Sequence, residues 1–275
     1  MGVIVVSLVI TSLGTPKFAE RIEKPDVGER RLGEVVLVPT HGDSSGLPGR
    51  LRLAGNIAES SKGIVLPVVV AISHKDQTLS DAKERRDEID DTLHALGLEG
   101  DSRIRVDRTL VDGIRHAALE NDASLVLLGW QGPRPITTYF VESVADEVSR
   151  LVECPVAVAA ISETPVEQVA LAISKNDLNA SRLESLKAAV SIATAAATHH
   201  PLIVGPVDSA QLAEAGLDLP ERTEYKPGEI GVLQWVEKTL DKNSLIVSTS
   251  RGWAFDRIAN QTNQYGGSVV AVNAG

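Results

Sequence analysis

Short apolar runs alternate with amphipathic stretches along most of this chain. From Glu34 onward "EVVLVPT", "GIVLPVVVAI" (63–72), "RIRVDRTL", "SLVLLG" and "PVAVAAI" each read as a β-strand. Most are apolar at consecutive positions, as strands covered on both faces require. The segments between them carry helical spacing. In "SDAKERRDEIDDTLHALGL" the residues Ile89, Leu93 and Leu96 recur along one face and Gly97 supplies a stop, while Asp87, Glu88, Asp90 and Asp91 form its solvated side. A further helix is expected over "DGIRHAALENDA", with Asp112 as its N-cap. Strands that alternate with helices predict an α/β fold: a mostly parallel five-stranded sheet with right-handed crossovers and helices on both faces.

The pattern then repeats. "QVALAIS" (168–174) resembles a new first strand, and a helix follows whose expected capping box is Ser181 with Glu184 and whose apolar face carries Leu183, Leu186, Val190 and Ala193. "PLIVGPV", "ERTEYKP", "SLIVSTS" and "SVVAVNA" complete a second set of strands. "SLVLLG" at Ser124 echoes "SLIVST" at Ser244, and "PVAVAA" at Pro155 echoes "SVVAVNA" at Ser268, at unequal offsets that fit a diverged duplication. The expectation is therefore two tandem Rossmann-like domains, at 34–165 and 166–275, behind a separate segment 1–33. Their last strands, at Val156 to Val158 and Val269 to Val272, are expected to pair within the chain, because bare apolar edges invite aggregation.

Segment 1–33 breaks the pattern. Val3 to Leu13 is free of charge, and Lys17, Glu20, Arg21 and Glu23 follow at once. As a helix the uncharged run spans about 17 Å, against the roughly 30 Å of a bilayer core. It lacks the basic start and small-residue cleavage site of a signal peptide. Two readings stand: an element packed on the domain, or the trailing end of a transmembrane helix followed by a linker. The second is the working expectation.

Composition narrows the function. A net charge of −10 and a pI near 5.1 argue against a surface that tracks nucleic-acid phosphates. One cysteine, Cys154, lies in an apolar run and reads as a buried, inert thiol. "GDSSG" (42–46) matches the nucleophile elbow of hydrolases, yet Pro48 and Gly49 are expected to separate it from any helix, and no acid and histidine follow in a workable order. His199 and His200 are adjacent and so do not share a helical face for a metal. No enzymatic activity is expected. Trp130, Trp235 and Trp253 read as packing or interface residues.

The glycines after the fourth strand carry the remaining chemistry. Gly129 ends that strand, Gly132 follows three residues later, and Glu142-Ser143 opens a helix that leads to "CPVAV". A loop without Cβ atoms lets backbone amides approach a phosphate, which a following helix N-terminus then faces. This spacing, with "ASLVLLGW" and "ECPVAV" around it, resembles the universal stress protein family, and in particular the domains of that type behind the membrane part of bacterial cation/proton antiporters. The match covers 34–161 well and 168–275 weakly.

The resemblance implies a cytosolic regulatory or assembly domain of such an antiporter, at the cytoplasmic face of the membrane. Its partner would be the membrane transport domain of the same polypeptide, and a homodimer is expected. It also implies ATP or another adenine nucleotide as the ligand of the first repeat, at Thr40, His41, Val70, Gly129, Gly132 and Ser143. Three departures bear on that ligand. Glu142 replaces the third glycine and brings a negative charge toward the phosphates, Thr40 and His41 stand where the first strand would end in aspartate, and the second repeat has no G-x-x-G. Two further alternatives stay open: Gly129 and Gly132 merely shape a tight strand-to-helix loop in a fold that has lost its ligand, or the chain is a free-standing tandem stress protein that binds ATP.

Overall fold

A computed structural model describes residues 31–41, 46–73, 79–132, 143–162, 166–198, 201–217, 225–227, 243–249, 252–264 and 266–274. Residues Arg31–Gly275 form one compact unit. The uncharged run Val3–Leu13, the GDSSG serines, Glu142, His199, His200 and Trp235 lie outside the described residues.

The first half runs β1 (Val35–Thr40), α1 (Leu47–Ser61), β2 (Ile64–Ile72), α2 (Leu79–Ala95), β3 (Arg103–Asp107), α3 (Leu110–Glu120), β4 (Leu125–Gly129), α4 (Val144–Leu151) and β5 (Val156–Ala160). The second half supplies β6 (Gln168–Ala172), a 3-10 turn at Lys175–Leu178, α5 (Leu183–Ala196), β7 (Leu202–Gly205), α6 (Ser209–Glu214), β8 (Tyr225–Pro227), β9 (Ser244–Ser248), α7 (Gly252–Gln264) and β10 (Ser268–Asn273). All ten strands form one sheet in the order β3-β2-β1-β4-β5-β10-β9-β6-β7-β8. Every pairing is parallel except β5 with β10.

The strand order is thus palindromic about the β5–β10 seam, as an ancestral five-stranded unit used twice would give. The expected intramolecular pairing is observed, with Val269 opposite Ala160, Ala271 opposite Val158 and Asn273 opposite Val156. It merges the two expected sheets into one. The apolar core then runs across the seam on one face, where Val36, Leu127, Ala159, Val270, Val247 and Leu171 meet α1, α2, α5 and α6. On the other face, Leu37, Val126 and Val156 pack under α3 and α4, and Ile246 and Val269 pack under α7. Hydrogen bonds tie the halves further: Asn273 Nδ2 donates to Ser149 Oγ (2.8 Å), and the amide of Ser162 donates to Ser268 Oγ (3.0 Å).

Three local expectations are corrected. Helix α1 begins at Leu47, so Pro48 and Gly49 lie inside it; proline costs nothing in a first turn, whose amides have no intrahelical acceptor. A break there is therefore no ground against an elbow. The N-cap of α3 is Thr109, whose hydroxyl accepts from the Asp112 amide at 3.0 Å, and Asp112 sits in the first turn. Helix α5 starts after Arg182 with no side-chain cap, and a capping box forms instead on the preceding 3-10 turn, between Ser174 and Asp177.

The outer edge at β3 is guarded by charge. Asp107 Oδ2 accepts from Arg105 Nε and from His116 Nδ1, both at 2.9 Å, and Arg105 also pairs with Glu120. The hydrogen bond from His116, then that from Arg105, hold the Asp107 carboxyl below its ordinary value of 3.8 against the opposing effect of burial. A depressed carboxylate contributes stability above its unfolded value and loses it as pH falls through the folded one. Below pH 3.8, then, Asp107→Asn is expected to lose less stability than the parent chain, in urea denaturation followed across pH.

Candidate functional site

In the first half the connections from β1 and β4 leave toward opposite flanks of the sheet, so a crevice opens beyond the carboxyl ends of these neighbouring strands. Thr40 closes β1 and Gly129 closes β4. Thr40 is buried, and its hydroxyl reaches the Val68 carbonyl only at a long 3.4 Å. His41 Nδ1 lies 2.9 Å from the carbonyl oxygen of Val70. A carbonyl only accepts, so Nδ1 carries the hydrogen of this bond, which leaves Nε2 for the crevice. The Val70 side chain packs away from the crevice, in the core under α3. What Val70 offers the crevice is its carbonyl, which His41 already engages.

Gly129 is where sequence reasoning missed a residue. Its absent side chain would point to the α1 face, and a methyl there would coincide with Nη1 of Arg50. Arg50 is only 7% exposed, and its Nε is buried without a hydrogen-bond partner. Burial lowers its pKa from the ordinary arginine range. A buried guanidinium without a counter-charge is costly, so this arrangement needs a physical reason. The signal was present in the chain: Arg50 falls on the apolar stripe of α1 with Leu47, Leu51, Ala54 and Ile57, whereas Arg52 is on the exposed side.

The close approach explains why residue 129 lacks a Cβ. Gly129→Ala is expected to cost about 1–3 kcal/mol by overpacking, and Arg50→Met in the same chain should relieve most of that cost. Chemical denaturation of the two single variants and the double variant measures the coupling.

Gly132 adopts φ +96° with open space around the missing Cβ, so its backbone angle, not crowding, calls for glycine. Ser143 is the N-cap of α4, and its hydroxyl accepts from the Asp146 amide at 3.1 Å. The same hydroxyl lies 2.6 Å from Asp146 Oδ2, to which it donates, and the Ser143 amide also faces that oxygen at 3.4 Å. The helix end that would meet a phosphate thus carries its own carboxylate, with Glu147 beside it in the first turn. Trp130 turns to the second half: its indole Nε1 donates to the buried Asp256 of α7 at 3.1 Å, and its ring packs on the α7 core. It is an interface residue.

The equivalent crevice of the second half is closed by an anion. Asp177 is 4% exposed and accepts from the Ser174 amide (2.7 Å), Ser174 Oγ (2.7 Å) and Thr249 Oγ1 (2.5 Å), with Arg182 at 3.2 Å. Ser174 follows β6 and Thr249 follows β9, so these bonds bridge the two strand ends where a ligand would enter. Among the described residues no group of three His, Cys, Asp or Glu is placed to hold a metal ion, and no helix is long and apolar enough to cross a membrane.

Comparison with known proteins adds to this geometry. The sequence model of the universal stress protein family matches residues 34–160. The chain is 27% identical over 197 residues to the Na(+)/H(+) antiporter NhaS5 of Synechocystis sp., covering 60% of this chain and 28% of that protein. It therefore spans less than a third of that relative. Among solved structures, the cytoplasmic domain of a prokaryotic cation chloride cotransporter superposes with a TM-score of 0.55 at 15% identity, over 86% of this chain and 94% of that one. A putative universal stress protein from Pseudomonas aeruginosa UCBPP-PA14 gives 0.52 at 15% identity, over 86% and 92%. These two likenesses concern the fold.

Proposed function

Because residues 34–160 match the sequence model of the universal stress protein family, we propose that this chain is the cytosolic regulatory and assembly module of a cation/proton antiporter, with the first half sensing an adenine nucleotide. The observation that carries the proposal is the similarity to the antiporter, which extends well beyond the length of the family match. In this reading 1–33 is the end of a transmembrane helix and its linker, 34–165 the sensing domain and 166–275 its partner, at the cytoplasmic face of the membrane. The transport chemistry belongs to the membrane part of the same polypeptide.

Thr40, His41, Val70, Gly129, Gly132 and Ser143 are the proposed nucleotide contacts. Linkage supplies the mechanism: a ligand that prefers one arrangement of the module shifts the transporter by no more than its differential affinity for the two states. The closed cleft at Asp177 supports one site per chain, in the first half. A homodimer would need a surface other than the β5 edge, which β10 occupies. Cation-driven proton movement in vesicles, with and without this module on the transporter, tests the proposal. A changed dependence on pH or on cation concentration is expected, and identical profiles would overturn it.

The second reading is a free-standing tandem stress protein that binds ATP. It draws support from the equal coverage, 86% of the chain, of the Pseudomonas fold. The reading frame that precedes Met1 separates the two, since only the antiporter reading requires apolar helices there.

A further inference from the structure

We propose that Arg50 is the anion-binding residue of the first-half crevice, and that the ligand it selects carries a single phosphate group. The inference rests on the nucleotide reading above and narrows its substrate class. A guanidinium presents its donors in a planar fork that matches two oxygens of one phosphate or carboxylate. Arg50 lies with Nη1 against Gly129 at the strand end, is 7% exposed as a residue, and holds a buried Nε without a hydrogen-bond partner. An anion that accepts from it would neutralise a charge that the described residues leave without a counter-charge.

Only one such cation is built into the crevice by the described residues. Where further phosphates of a longer chain would lie, at the start of α4, the Asp146 carboxylate already takes the Ser143 hydroxyl and faces the Ser143 amide, and Glu147 adds a second negative charge. A single cation at the strand end, with two carboxylates in the first turn of α4, suits a phosphate of one or two charges and opposes a triphosphate. His41 Nε2 and the Thr40 hydroxyl, at the end of the neighbouring strand, remain for the organic part of the ligand.

The shared chemistry is a phosphate monoester or the free ion, so the test uses inorganic phosphate, AMP and ATP as separate probes. Each is titrated calorimetrically into the whole chain and into Arg50→Met, with thermal midpoints measured alongside. AMP is expected to bind the parent at least tenfold more tightly than ATP, and Arg50→Met to weaken AMP at least tenfold. Without ligand, Arg50→Met should unfold no earlier than the parent, because it removes an unpaired buried charge. Arg50→Lys, which keeps the charge and loses the fork, should fall between the two.

Equal AMP affinity in the parent and in Arg50→Met would overturn the assignment of Arg50 and leave the nucleotide reading intact. Tight inorganic phosphate that depends on Arg50, with no added affinity for AMP, would keep the anion site and remove the nucleotide reading. An Arg50→Met chain that melts several degrees early, with no probe shifting the parent, would make Arg50 a packing residue and overturn the proposal.

Discussion

Val270→Asp is expected to abolish the cooperative folded state, or to cost about 5 kcal/mol where folding survives. Val270 is fully buried, sits opposite Ala159 in the antiparallel seam, and faces the core that α1 and α5 share. A carboxylate there would lose its water without gaining a donor, since the backbone amides on both sides are spent on the sheet. The loss is comparable with the whole stability of a typical domain, about 5–15 kcal/mol. Urea denaturation followed by circular dichroism measures it. Ile64→Asp serves as the control: Ile64 is 55% exposed at the start of β2, and a change within about 0.5 kcal/mol is expected. Equal tolerance at both positions would mean that the seam does not hold the halves together.

The second large effect is expected at Asp177. Asp177→Ala removes the acceptor shared by the Ser174 amide, Ser174 Oγ, Thr249 Oγ1 and Arg182, and strands the buried Thr249 hydroxyl. Breaking a buried charged network by deleting one member costs about 3–5 kcal/mol. The melting midpoint should fall by on the order of 10 °C for a chain of this size. Asp177→Asn keeps the shape and one carbonyl acceptor, so a smaller fall is expected. Were Asp177→Ala to melt with the parent, the network would not be what closes the second crevice.

Much of the fold was legible along the chain, because apolar runs covered on both faces and helical spacing are local properties. The ten strands lie where "EVVLVPT" through "SVVAVNA" place them, and the pairing of the two last strands follows from the cost of leaving such edges bare. Helix α1 was less legible: its proline and glycine read as a break, although a first turn accepts both. The cap of α3 was likewise displaced by three residues, to Thr109, and the capping box expected at Ser181 forms instead on the preceding 3-10 turn, since several hydroxyls and carboxylates compete for each helix end and only the backbone geometry chooses among them.

The candidate site divides along the same line. Gly129, Gly132 and Ser143 could be named from spacing, and Thr40 and His41 from their place at the end of a strand. That Ser143 is spent on Asp146, that Val70 offers a carbonyl already engaged by His41, and that Arg50 covers Gly129 depends on atoms far apart in the chain.

By itself the sequence determined the strand and helix periodicity, the duplicated order and the acidic charge balance, because each is set by neighbours within a few residues. The tertiary structure decided that two sheets become one, that a cation occupies the first crevice and a hydrogen-bonded carboxylate the second, and that Trp130 faces the other half. Such choices depend on which distant groups share a buried volume, where a charge or a hydroxyl must find its partner or carry the cost of lacking one.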